Sequence, residues 1–110
     1  MKVAFKSILP SINALFSDKQ DILNREFTEA EIGAAFGFTL KKLREYKGLS
    51  LTALSKEIDV PNPTINRYEN GVNIPTITQA IKITDFFDLS IELFILMGLC
   101  AIYEETDIIA

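Results

Sequence analysis

Ser50 to Gly71 reads SLTALSKEIDVPNPTINRYENG, and its pattern decides how the rest of the chain is organised. Leu51, Leu54, Ser55 and Ile58 fall at the i, i+3, i+4, i+7 spacing of one helical face. Ser50 stands where an N-cap hydroxyl accepts from an orphan backbone N–H. The Asp59-Val60-Pro61-Asn62-Pro63 run breaks that pattern, because proline disfavours helical dihedrals in the residue before it. Pro63 is still compatible with the first turn of a new helix, where no backbone donor is needed. That second helix runs from Thr64 to Asn70 with Ile65 and Tyr68 facing inward, and Gly71 supplies the left-handed residue that closes it.

Two short helices around a tight turn, the second polar on its outer face, describe a helix-turn-helix. The longer run LKKLREYKGLSLTALSKEIDVPNPTINRYENGVNIPT resembles the helix-turn-helix domain of phage repressor and Cro-type (XRE-like) regulators. The matching positions are Leu43-Arg44, Gly48-Leu49-Ser50, Leu54, Val60, Ile65, Tyr68-Glu69-Asn70-Gly71 and Pro75. The likeness covers roughly Phe38 to Phe94, about half of the chain. Helical patterning outside the likeness predicts an N-terminal helical extension (1–37) and a lengthened apolar C-terminal helix continuing through 96–110. The likeness itself implies an all-α fold with a five-helix repressor-like domain over residues 38–95. It also implies an ion pair between Arg44 and Glu69, and a second helix that enters the major groove of double-stranded DNA.

By motif position, Asn62, Thr64, Asn66 and Arg67 then face the bases. Asn pairs bidentately with adenine, Arg with guanine, and Thr touches a thymine methyl or a phosphate. Ser50, Asn70 and Asn73 are placed to hold phosphates. Leu51 stands where the family usually carries a backbone-contacting Gln, and Pro61 and Pro63 occupy positions often filled by polar residues. A second function therefore stays open beside the DNA-binding one: a protein–protein interaction module, antitoxin-like or a regulatory partner, with weak or no DNA binding.

Upstream, Ile12, Leu15, Phe16, Lys19, Ile22, Leu23 and Phe27 lie at helical spacing, which predicts a helix from about residue 11 to 25. It either packs on the domain or binds a protein partner. Thr28-Glu-Ala-Glu31 forms a capping-box pattern, and one extended helix is expected from there to Tyr46 or Lys47. Gly33 and Gly37 each cost about 1 kcal/mol relative to Ala, and Gly37 is where it would kink or break. Thr76 or Thr78 caps the following helix, and Ser90 opens the last one.

Leu93 to Tyr103 carries no charged residue. A run of that length is too short for a membrane span, which needs about 20 apolar residues, and a helix apolar all round must be buried. The expectation is an isologous dimer interface built from Phe94, Leu96, Met97, Cys100, Ile102 and Tyr103. An intramolecular core helix is the alternative.

The 110 residues suffice for one core, and one cysteine with no histidine leaves no disulfide, usual metal set or histidine-based triad. No enzyme activity, metal or cofactor is expected. The chain's start lacks a sustained apolar core, so no signal peptide is expected and a cytoplasmic location is. The net charge is −4, but unevenly spread. Residues 39–75 hold six bases against four acids, residues 1–38 four against five, and residues 76–110 one against six. The small positive surplus sits on the helix-turn-helix segment, consistent with weak steering toward DNA. The expected assembly is a homodimeric repressor on a palindrome, its recognition helices about 34 Å apart.

Overall fold

The computed structural model describes residues 25–103, which hold five α-helices. They are α1 (Glu29–Tyr46), α2 (Leu51–Ile58), α3 (Asn62–Glu69), α4 (Ile77–Phe86) and α5 (Ile91–Tyr103). The helix expected around residues 11–25 and the tail after Tyr103 lie outside the described residues. Each helix begins where the sequence supplies an acceptor or a pre-set φ. The Thr28 hydroxyl accepts from the Glu31 N–H at 3.2 Å, while the Glu31 carboxylate accepts from the Thr28 N–H at 2.9 Å, closing the capping box. Ser50, Thr76 and Ser90 cap α2, α4 and α5 in the same way, and Pro61 precedes α3.

α1 is one unbroken helix, so Gly33 and Gly37 do not interrupt it. Gly37 instead lets the end of α3 approach. A Cβ there would overlap the Tyr68 carbonyl oxygen. Gly98 does the same where α5 crosses α1, since a Cβ would overlap the Ala35 carbonyl. At that crossing the buried Thr39 hydroxyl bonds the Phe94 carbonyl at 2.7 Å and the Ala35 carbonyl at 3.2 Å.

Two apolar clusters result. Leu40, Leu54, Val60, Ile65, Ile83 and Phe94 form the centre of the first, beneath the helix-turn-helix. The second joins Phe27 and Ala35 to Leu96, Leu99 and Cys100, so that the first half of α1 covers the second half of α5. The boundaries drawn at 37/38 and 95/96 fall inside α1 and α5. No single helix among the described residues is long and apolar enough to cross a membrane, and α4 and α5 bend by 81° where they meet.

Three of the six residues expected at a dimer interface on α5 are placed elsewhere by this packing. Phe94, Leu96 and Cys100 are fully buried within the chain. The all-apolar helix finds its cover in the extension of α1, which starts nine residues before the domain drawn from the resemblance. Tyr103 is also engaged internally: its ring lies 5.5 Å from Phe27, its hydroxyl donates to Glu31 at 2.8 Å, and the Arg25 guanidinium sits over it. Met97 is half-buried, and Ile102 keeps 38% of its surface exposed.

One ion pair fixes α3 on α1. Arg44 donates from Nε to Glu69 Oε2 at 2.7 Å and from Nη2 to Oε1 at 3.0 Å, a two-pronged contact. Its Nη1 donates to the Leu49 carbonyl at 2.8 Å, in the loop before α2. The Glu69 side chain is 3% exposed. The bonds to Glu69 push the Arg44 guanidinium pKa up further, against the burial that opposes it.

Three outcomes follow from these contacts. Gly98→Ala should lower stability by about 2 kcal/mol in urea unfolding, because the added methyl has no room beside the Ala35 carbonyl. Elsewhere in a helix the same change raises stability by about 1 kcal/mol, so an increase would contradict the close crossing. Arg44→Ala strands the Glu69 carboxylate and should cost about 3 kcal/mol, read as a drop in melting temperature. The third concerns pH. The Thr28 N–H, then the Tyr103 hydroxyl, hold the Glu31 carboxyl below its ordinary range. A lowered folded pKa contributes stability that is present above the ordinary glutamate value and lost as pH falls through the lowered one. Melting curves of Glu31→Gln should therefore depend less on pH across that window than those of the wild type.

Candidate nucleic-acid interface

The turn between α2 and α3 is built by short polar side chains that hold backbone in place. Asp59 closes α2 in the left-handed region at φ 55°, and buried Val60 anchors the turn in the core. The Ser55 hydroxyl donates to the Val60 carbonyl at 2.6 Å. The Asn62 amide donates to the Thr52 hydroxyl at 2.9 Å, tying the start of α3 to the outer side of α2. Leu51, half-buried, packs against the core, so its side chain is directed inward.

α3 is then locked along its inner face. Ile65 and Tyr68 are buried. The Tyr68 hydroxyl donates to the side-chain Oε1 of Gln79 on α4 at 2.5 Å, and burial pushes its pKa up. Gly71 ends the helix with φ +71°.

Asn66, Arg67 and Asn70 are exposed and Thr64 is half-buried. The Asn70 amide donates to the Asn66 backbone carbonyl at 2.9 Å and to its side-chain Oδ1 at 3.2 Å. That contact orders the Asn66 side chain before any ligand arrives, and Oδ1 keeps a second lone pair for a base amino group. Ser50 and Asn73 are exposed at the two ends of the motif, and the Ser50 oxygen accepts from the Ala53 N–H at 3.0 Å. Asn62 is the least available of the expected base-facing residues, being half-buried and bonded to Thr52.

The electrostatics of this face are close to balanced. Arg44 and Glu69 neutralise each other beneath the surface. From Ser50 to Gly71 the exposed charges are Lys56 and Arg67 against Glu57 and Asp59, and residues 70–81 carry none. Lys41, Lys42 and Lys47 belong to α1 and its cap; Lys42 lies 5.6 Å from the Phe38 ring and Lys47 5.5 Å from that of Phe86. Contacts to phosphate would thus come mainly from hydroxyl, amide and backbone N–H donors, with Arg67 the cation on α3 itself.

Sequence reasoning missed Ser55, Thr52 and Gln79 as the groups that set the pose of α3, and Thr39 as the clasp between α1 and α5. The signal was present at two of them. Ser55 and Thr39 each fall on an inward stripe of otherwise apolar residues, where a hydroxyl needs a partner.

Comparison with known proteins agrees with this geometry. The family model described as "Helix-turn-helix" matches residues 40–94. A protein of Methanocella arvoryzae assigned by name to the HTH-type transcriptional regulatory proteins is 42% identical over 55 residues, covering 50% of this chain and 17% of that one. The HTH-type transcriptional regulator PrpR of Mycobacterium tuberculosis is 34% identical over 58 residues, covering 53% of this chain and 12% of its own length. The chain thus spans less than a fifth of the curated relatives it matches. No solved structure gives a significant match. With half of its length in the family pattern and the motif's helices in place, the chain belongs to the XRE-type helix-turn-helix family.

Proposed function

We propose that this protein is a cytoplasmic, sequence-specific DNA-binding transcriptional regulator that acts as a repressor, binding a palindromic site as a homodimer. α3 is the reading helix. Asn66 and Arg67 read base edges, Thr64 supports them from the same face, and Asn62 braces the helix start. Ser50, Asn70 and Asn73 hold phosphates and set the register. The observation that carries this reading is the pairing of a locked inner face with an ordered, exposed outer one. Ile65, Tyr68 and Glu69 fix α3 against the core, while Asn66 is already positioned by Asn70.

The near-neutral reading face favours a second role, a protein-interaction module on the same fold, in which α3 meets no DNA. Sequence-dependent duplex binding separates the two: the regulator forms such a complex, with a shallow salt dependence because neutral donors meet most phosphates, and the interaction module forms none.

The test is selection of a random duplex pool by the full-length chain, followed by titration of the enriched sequence. An Asn66→Ala, Arg67→Ala double variant should bind about a hundredfold more weakly with its melting temperature unchanged, since both residues are exposed. Arg67→Ala alone should cost about 1–3 kcal/mol of binding and relax the sequence preference at the base it reads. Unchanged affinity in the double variant, or a pool with no enrichment, would defeat the reading.

A further inference from the structure

Apart from Tyr46 on α1 and Ile102 and Tyr103 at the end of α5, the exposed large apolar side chains of the described residues gather in one place. Val72 is 69% exposed, Ile74 50%, Ile77 74% and Ile81 44%, all within the loop after α3 and the first turns of α4. Ile77 and Ile81 stand one helical turn apart on the same side of α4. Beside this ridge lies an apolar groove of about 130 Å³ between α1 and α5, whose walls include Ile32, Phe36, Ile91 and Ile95. Ile74, Ile77 and Ala80 line it from the loop and α4, so the exposed Ile77 stands at the groove's own edge.

We propose that this face binds a second copy of the same chain, with Ile77 of each copy entering the groove of the other. Three observations select a second copy as the occupant. First, residues 70–81 carry no ionisable side chain in a chain of net charge −4. In a two-fold contact the residues near the axis meet their own copies, so any charge there would repel itself. Second, knob and groove lie side by side on one patch, which is the self-complementarity an isologous contact needs. Third, the patch follows α3 directly in the chain, through Gly71. A contact here fixes the spacing between two reading helices through a few residues, as recognition of a palindrome requires. The inference rests on the proposed dimeric DNA-binding role and names its interface. The Val and Ile side chains themselves offer no donor to a phosphate, which Asn73 beside them supplies.

Sedimentation equilibrium of the full-length chain tests it. The wild type should be a dimer. Ile77→Asp should raise the dissociation constant by about a hundredfold or more, because an unpaired carboxylate would be buried in the contact. Its melting temperature should stay put, since Ile77 is largely exposed. Val72→Asp, in the loop, should act the same way and guards against a folding defect in the first variant. Ile102→Asp at the end of α5 should leave the dimer intact. A wild-type dimer that survives both Ile77→Asp and Val72→Asp, or that Ile102→Asp alone dissociates, would overturn this interface while leaving a dimeric regulator standing. A wild type that is monomeric at every concentration would overturn the interface and the homodimer together. DNA reading by α3 would then be judged separately, from half-site binding by the Asn66→Ala, Arg67→Ala variant.

Discussion

The bidentate bond between Arg44 and Glu69 is the constraint on which the pose of α3 depends. Arg44 lies on the last turn of α1, Glu69 is the last residue of α3, and the third guanidinium contact reaches the Leu49 carbonyl before α2. One planar cation therefore joins three elements that the local sequence would leave to pivot on their loops. An isolated eight-residue helix is marginal in water, and α3 is of that length. Its stability and direction come from Ile65 and Tyr68 in the core, and from this pair at its end. A lysine would keep the charge but lose the fork that satisfies both carboxylate oxygens and the carbonyl at once.

The second constraint is steric. α1 runs past the end of α3 at Gly37 and crosses α5 at Gly98, and at both places a methyl group would collide with a carbonyl. The two glycines draw the reading helix and the apolar helix onto the same scaffold. Thr39 closes the second crossing with a hydrogen bond to Phe94 and keeps its hydroxyl satisfied in an apolar setting. This arrangement moves the free apolar surface away from α5 and toward the start of α4.

Much of the fold was legible because its signals are local. Thr28 with Glu31, Ser50, Gly71 and Ser90 mark ends through caps and turn conformations that depend on neighbours a few residues away. Arg44 with Glu69 was legible only through family likeness, since nothing in spacing links positions 25 residues apart. The cover of α5 was not legible. An uncharged helix states that it is covered, but not by what, and its cover lies in Ala35 and Phe27, more than sixty residues upstream. Glycines have the same ambiguity. Gly37 reads as a break from propensity, yet it serves a contact with residues 68 and 69 that no local pattern encodes. At the site, the exposed asparagines could be placed by motif position, whereas the Asn70 hold on Asn66 depends on side-chain geometry.

The proposed reading face carries little net charge, with Arg67 standing as the cation on α3 and its neighbours balanced. Affinity on such a face has to come from directed hydrogen bonds and fit, with little from bulk attraction to phosphate. The most direct measurement is the amide NMR spectrum of the full-length protein as an enriched duplex is added. This account predicts that shifts concentrate at Ser50, at residues 62–70 and at Asn73, with α5 silent. Shifts confined to α1 and α5, or no shifts at saturating duplex, would contradict it.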